Sequence, residues 1–234
     1  MGRGTSKAGK GSSASKTTIS GVTSVTIGDI TIDLSDTPLV YGDNDSGVSG
    51  NARAAVEAWE EKRGKNKIEY NISFDQNGNA VGDEVRGGKT SVKVPISGLQ
   101  AGMIHTHIHP RGGEDEKGLL GGTFSDKDLR NFAGFPLSTY RAKAGEGTYS
   151  ITKGSNFDKQ GFKAYVSDTY SKHDAVLSSA MKQVRENFKN SGYNWDQYNK
   201  DFNKAFNTFL VAVHNDLLAG QKKYGYNYTL ERRK

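Results

Sequence analysis

The chain contains no cysteine, so disulfides and thiolate-held metals are excluded and any metal must be held by His, Asp or Glu. Five histidines are present, which keeps the search for such a centre short. Long apolar runs are also missing. No stretch approaches the roughly 18 consecutive apolar residues that a spanning helix needs, and the N-terminus lacks the apolar core of a signal peptide. Acidic residues are absent from the start of the chain: Arg3, Lys7, Lys10 and Lys16 precede the first of them, Asp29. Much of the formal charge of +6 therefore sits in residues 1–18, which are Gly, Ser, Lys and Thr with almost no apolar side chains. Such a segment cannot offset the entropy of ordering, and is read as a flexible basic Gly/Ser tail, solvated and open to weak nucleic-acid contact.

What remains has the make-up of a globular domain rich in turns, with 34% hydrophobic residues and 29 glycines in 234 residues. β-Branched residues between 19 and 40 predict one or two short strands, and 42–50 a loop. Ala52, Ala55, Val56 and Trp59 share one face of a helix predicted over 51–63, with Gly64 placed to end it. In 67–74 the apolar row Ile68, Tyr70, Ile72 and Phe74 alternates with polar residues, so Glu69 faces away from that row; the turn at Asn77 and Gly78 predicts a hairpin. Further strands are predicted over 91–96 and 102–107, then a long loop over 111–122, a helix from Ser125, and a hairpin of 137–141 with 148–152. From Phe162 the period becomes helical. Leu177, Met181, Val184 and Phe188 form one stripe; Trp195, Tyr198, Phe202, Phe206, Phe209 and Val213 form a second, with a break at 190–194. The expected fold class is α/β, a mixed sheet flanked by helices over 19–155, followed by a helical C-terminal region over 156–234.

Chemistry concentrates in one place. His105 and His107 stand at i and i+2, which on a strand puts both imidazoles on one face, close enough to share a cation. Asp128, in Ser125-Asp-Lys-Asp128, stands one turn into the next helix and can supply a third ligand, leaving a fourth position for water. The same Ser-x-x-Asp also reads as a helix capping box. His173 and His214 fall in the helical region and carry no assigned role.

The order of glutamate, strand, His-Thr-His, loop and Ser-x-x-Asp resembles the JAB/JAMM (MPN-type) zinc metalloprotease family, whose pattern is an upstream Glu, then His-Ser/Thr-His-Pro, then Ser-x-x-Asp. The resemblance spans about residues 51–153, and Lys67-Ile-Glu-Tyr70 with Phe124-Ser-Asp-Lys-Asp-Leu129 is closest to the prokaryotic and phage-associated branch. It implies a deaminase-like three-layer fold. It also implies Zn²⁺ on His105, His107 and Asp128, Glu69 as general base and acid, and Ser125 as oxyanion donor. Here Pro110 follows His109 and not His107, so His107 with His109 is the alternative pair; Glu57, Glu60 and Glu84 are alternative bases. Residues 111–118 form an insertion relative to compact members, readable as a lid or as a tolerated surface loop. The implied activity is zinc-dependent hydrolysis of a peptide or isopeptide bond in a peptide or protein substrate. The alternatives are a non-catalytic structural or binding module of the same fold, such as a phage assembly or virion component, and a metal-dependent nuclease. No membrane partner is expected, and the setting implied is bacterial cytoplasm or a phage virion. A true zinc deaminase needs a Pro-Cys-x-x-Cys motif that a chain without cysteine does not have.

Overall fold

The computed structural model describes residues 16–17, 24–27, 30–33, 39–42, 48, 50–95, 97–110 and 119–232. Most of the basic tail and the whole insertion 111–118 lie outside them. Four short strands lead in: β1 (Lys16–Thr17), β2 (Ser24–Ile27), β3 (Ile30–Asp33) and β4 (Leu39–Val40), with β1 paired to β4 and β2 to β3. Helix α1 (Gly50–Arg63) follows, then β5 (Tyr70–Phe74), β6 (Ala80–Arg86), β7 (Ile104–Ile108), α2 (Asp126–Gly134), β8 (Thr139–Lys143) and β9 (Gly147–Lys153). The chain closes with α3 (Lys159–Asn190), α4 (Trp195–Tyr224) and β10 (Tyr226–Arg232).

Six strands form one mixed sheet in the order β10-β9-β8-β7-β5-β6, parallel only between β7 and β8. Alternation along these strands sorts the side chains onto two faces. On one face Ile72, Phe74 and Ile104 pack on Ala52 and Val56 of α1. On the other, Tyr140, Tyr149, Ile151 and Tyr228 pack against Leu129 and Phe132 of α2, Phe162 and Val166 of α3, and Val213 and Leu217 of α4. The result is three layers, helix on sheet on helices. Burial of each large apolar side chain in such a layer contributes on the order of 1.5–3 kcal/mol.

Behind the α1 face lies a buried ion cluster. Arg141 and Glu60 are 1% and 2% exposed, and the guanidinium meets both carboxylate oxygens at 2.7 and 3.0 Å. Thr106 Oγ1 donates to Glu60 at 2.8 Å, and Glu231 approaches Arg141 at 3.5 Å. A charge this deep is tolerable only when paired and hydrogen-bonded; the cluster ties α1, β7, β8 and β10 together.

Two expectations need correction. Residues 91–95 are no strand of the sheet: Lys93 O accepts from the Asn71 side chain at 2.7 Å, so a side chain and not a ladder holds this segment across the end of β5. The region 156–234 is not helical throughout, because β10 pairs in full with β9. Gly225, in the left-handed region at φ 70° with a Cβ position only 2.4 Å from Asn156 O, ends α4 and turns the chain back to the sheet. Among the described residues no helix is long and apolar enough to cross a membrane.

Candidate metal centre

Three imidazoles project from one side of β7 and its exit. His105 and His107 alternate with Ile104, Thr106 and Ile108 and are fully buried or nearly so, at 0% and 3% exposed. His109 has left the strand, but its N–H still donates to Lys143 O at 2.8 Å, which keeps the chain extended. The loop then returns to α2, whose N-cap is Ser125. Ser125 Oγ accepts from the Asp128 amide at 3.2 Å, while Asp128 Oδ2 accepts from the Ser125 amide at 2.9 Å and from the Ser125 hydroxyl at 2.6 Å. The capping box and the chemical reading of Ser-x-x-Asp are therefore one arrangement, since the cap aims the carboxylate at the histidines.

The donor atoms of His107, His109 and Asp128 lie within 4.8 Å of one another. The Nε2 atoms of His107 and His109 are 3.0 Å apart, and His107 Nε2 is 3.7 Å from Asp128 Oδ2. His105 is not in this group. Its Nδ1 is 3.0 Å from Ser73 Oγ, its cross-strand partner, and its ring stacks on Tyr140 at 4.8 Å between centroids. The close group is thus the alternative pair, His107 with His109 before Pro110, together with Asp128. His105, two residues earlier on β7, still feels the Asp128 charge but stands outside the 4.8 Å group.

Burial pushes the His107 imidazole down to about 4, with Asp128 opposing and His109 reinforcing. Burial, reinforced by His107, takes His105 down to about 3. Burial would raise the Asp128 carboxyl, yet His107, His109 and the Ser125 hydrogen bonds outweigh it and hold it below its ordinary value. At neutral pH His107 is therefore neutral and Asp128 ionised, the protonation state that ligation by these two side chains requires. Among the described residues, His105 Nε2 and His107 Nδ1 are buried without a hydrogen-bond partner, and neither is the nitrogen that faces His109. Two nitrogens and one oxygen suit a borderline cation such as Zn²⁺ and leave room for water.

The group lies on the wall of a cleft of about 1080 Å³. Of the four glutamates weighed from sequence, Glu69 alone lines it. Glu60 is spent on Arg141 across the sheet, Glu84 binds Trp59 Nε1 and Arg63, and Glu57 pairs with Arg53. Glu69 is 9% exposed, and its backbone is fixed by exchange with Gly87 and Gly88 at 2.8 and 2.7 Å. Two residues escaped the sequence reading. Tyr140 lines the cleft beneath the histidines, and burial, with Asp128 and Glu69 adding, raises its phenol well above the ordinary value, so it stays protonated. Glu146, between Gly145 and Gly147, reads in sequence only as part of a turn. Neither has a spacing signal, because parallel pairing of β7 with β8 and a hairpin turn bring them in. Compared with known proteins, the chain matches no family model, no curated protein and no solved structure.

Proposed function

We propose that the chain is a zinc-dependent hydrolase of JAB/JAMM type that cleaves a peptide or isopeptide bond, with His107, His109 and Asp128 as metal ligands. The observation that carries this reading is the convergence of those three side chains within 4.8 Å, on a cleft wall that also presents Glu69. When bound, the metal supplies Lewis acidity that polarises the scissile carbonyl and lowers the pKa of the attacking water towards about 7. Glu69 takes the proton from that water and delivers it to the departing amine nitrogen. Ser125 holds Asp128 by giving its single hydroxyl proton to Oδ2 at 2.6 Å, so the oxyanion contact of the resembling family would require that bond to be released. Tyr140 and Phe124 line the cleft with their rings against that of His107. The rest of the cleft favours an extended polypeptide. Val92, Val94, Phe206, Phe209 and Leu210 also line it, apolar surfaces for side chains flanking the scissile bond.

The test is cleavage of quenched-fluorescence peptides and isopeptide-linked substrates by protein loaded with Zn²⁺, beside Glu69→Gln. Chelator-sensitive cleavage that falls by about 10²–10⁴-fold in Glu69→Gln, with zinc content unchanged, is expected. Cleavage that persists at full rate in Glu69→Gln contradicts the assignment of the base. Absence of turnover across both substrate classes after zinc loading favours the non-catalytic module.

A further inference from the structure

Where the chain re-enters the described structure after residue 118, three successive backbone amides are held by side chains from elsewhere. Leu120 N–H donates to Asn207 Oδ1 at 2.9 Å. Gly121 and Gly122 N–H donate to the two oxygens of Glu146, each at 2.8 Å, and Tyr149 donates its hydroxyl to the same carboxylate at 2.6 Å. Gly122 has φ 87°, and a Cβ there would stand 2.6 Å from Leu210, so conformation and space both demand glycine. The carbonyl of this clamped Gly122 lies 2.9 Å from His109 Nδ1. A carbonyl only accepts, so His109 must carry its proton on Nδ1 and present a lone pair at Nε2, the atom that faces His107.

We infer that Glu146 is a positioning residue for the metal centre: by clamping the Gly121 and Gly122 amides it fixes the Gly122 carbonyl, which sets the tautomer and ring orientation of His109. This rests on the metal-site reading above. Outer hydrogen bonds of this kind orient ligands and raise their basicity, and their loss weakens metal affinity. The arrangement here is indirect, a carboxylate acting through two peptide groups instead of directly on the imidazole. Charge-assisted bonds to both amides make that peptide stiffer than one hydrogen-bonded to water.

Glu146→Gln tests it, because a glutamine offers one acceptor oxygen and turns an NH₂ towards the other amide. Zn²⁺ affinity by chelator competition is expected to weaken by about 10–100-fold, with a changed Co²⁺ visible spectrum. In the metal-free protein, ring ¹⁵N NMR is expected to show His109 as the Nδ1–H tautomer in the wild type and as a mixture in Glu146→Gln. Should that variant fail to fold, Glu146→Asp, with the same charge set back by one methylene, carries the same expectations with smaller changes. Unchanged affinity, cobalt spectrum and tautomer would overturn the inference while leaving the metal centre intact. A wild type that takes up neither Zn²⁺ nor Co²⁺ instead defeats the metal reading, and the NMR comparison then decides the clamp by itself.

Discussion

Two imidazole nitrogens 3.0 Å apart can share a proton or share a metal cation, and the Asp128 oxygen 3.7 Å from one of them stabilises positive charge there in either case. His105 differs in kind. Fully buried and stacked on Tyr140, with Nδ1 at Ser73, it supports the ligands from within the core. His105→Gln is therefore expected to lower the stability of the metal-free protein by about 1–3 kcal/mol, through a disturbed buried hydrogen bond, while zinc still binds at one equivalent. Chemical denaturation beside a zinc titration checks this, and loss of the zinc would return His105 to the ligand set. At this scale the sequence was partly legible. The three histidines and Asp128 stood out by spacing, but the choice among them depended on where the fold places β7 and α2, which no spacing records.

At the scale of elements, α2 is built to deliver a carboxylate. Its capping box joins Ser125 and Asp128 by three hydrogen bonds, so the cap contributes to stability and to the site together. Ser125→Ala is expected to cost about 1 kcal/mol of stability from the lost cap. It should also weaken zinc binding, as Asp128 loses the hydroxyl at 2.6 Å. Calorimetric zinc titration with thermal melting separates the two effects; a lower melting temperature with unaltered affinity would mean that Ser125 serves the helix alone. The helices and the two hairpins around Gly78 and 144–146 followed from apolar period and turn residues. β10 did not, because Tyr-Asn-Tyr-Thr-Leu directly after a long helix has no turn longer than Gly225 to announce it. Residues 91–95 read as a strand because Val92 and Val94 alternate with polar neighbours, yet those valines face the cleft and not a sheet layer.

At the scale of the whole molecule, the six-stranded sheet separates a structural face, with its Arg141–Glu60 cluster, from a chemical face, with its histidines. His214 joins the chemical-face layers to the lead-in strand: Nε2 donates to Val40 O at 3.0 Å and Nδ1 accepts from Tyr228 at 2.8 Å. Burial lowers its pKa from 6.5 to about 4, so below pH 6.5 the unfolded chain takes up the proton first. The stability from neutral His214 is present above pH 6.5, is lost as pH falls to about 4, and amounts to roughly 3 kcal/mol over that window. His214→Gln should flatten this part of the stability curve of the metal-free protein, measured by urea unfolding at stepped pH; an unchanged slope would remove His214 from the acid response. The α/β class was legible from alternating strand and helix periods. The three layers follow from the family resemblance, but the sixth strand does not, since β10 joins the sheet only after the chain has run out and back along α3 and α4. Elemental analysis of purified protein reconstituted with Zn²⁺ reads the metal centre without need of a substrate. One zinc per chain, lost in His109→Ala and in Asp128→Ala and kept in His105→Gln, is the predicted result; folded wild-type protein that binds no zinc contradicts it.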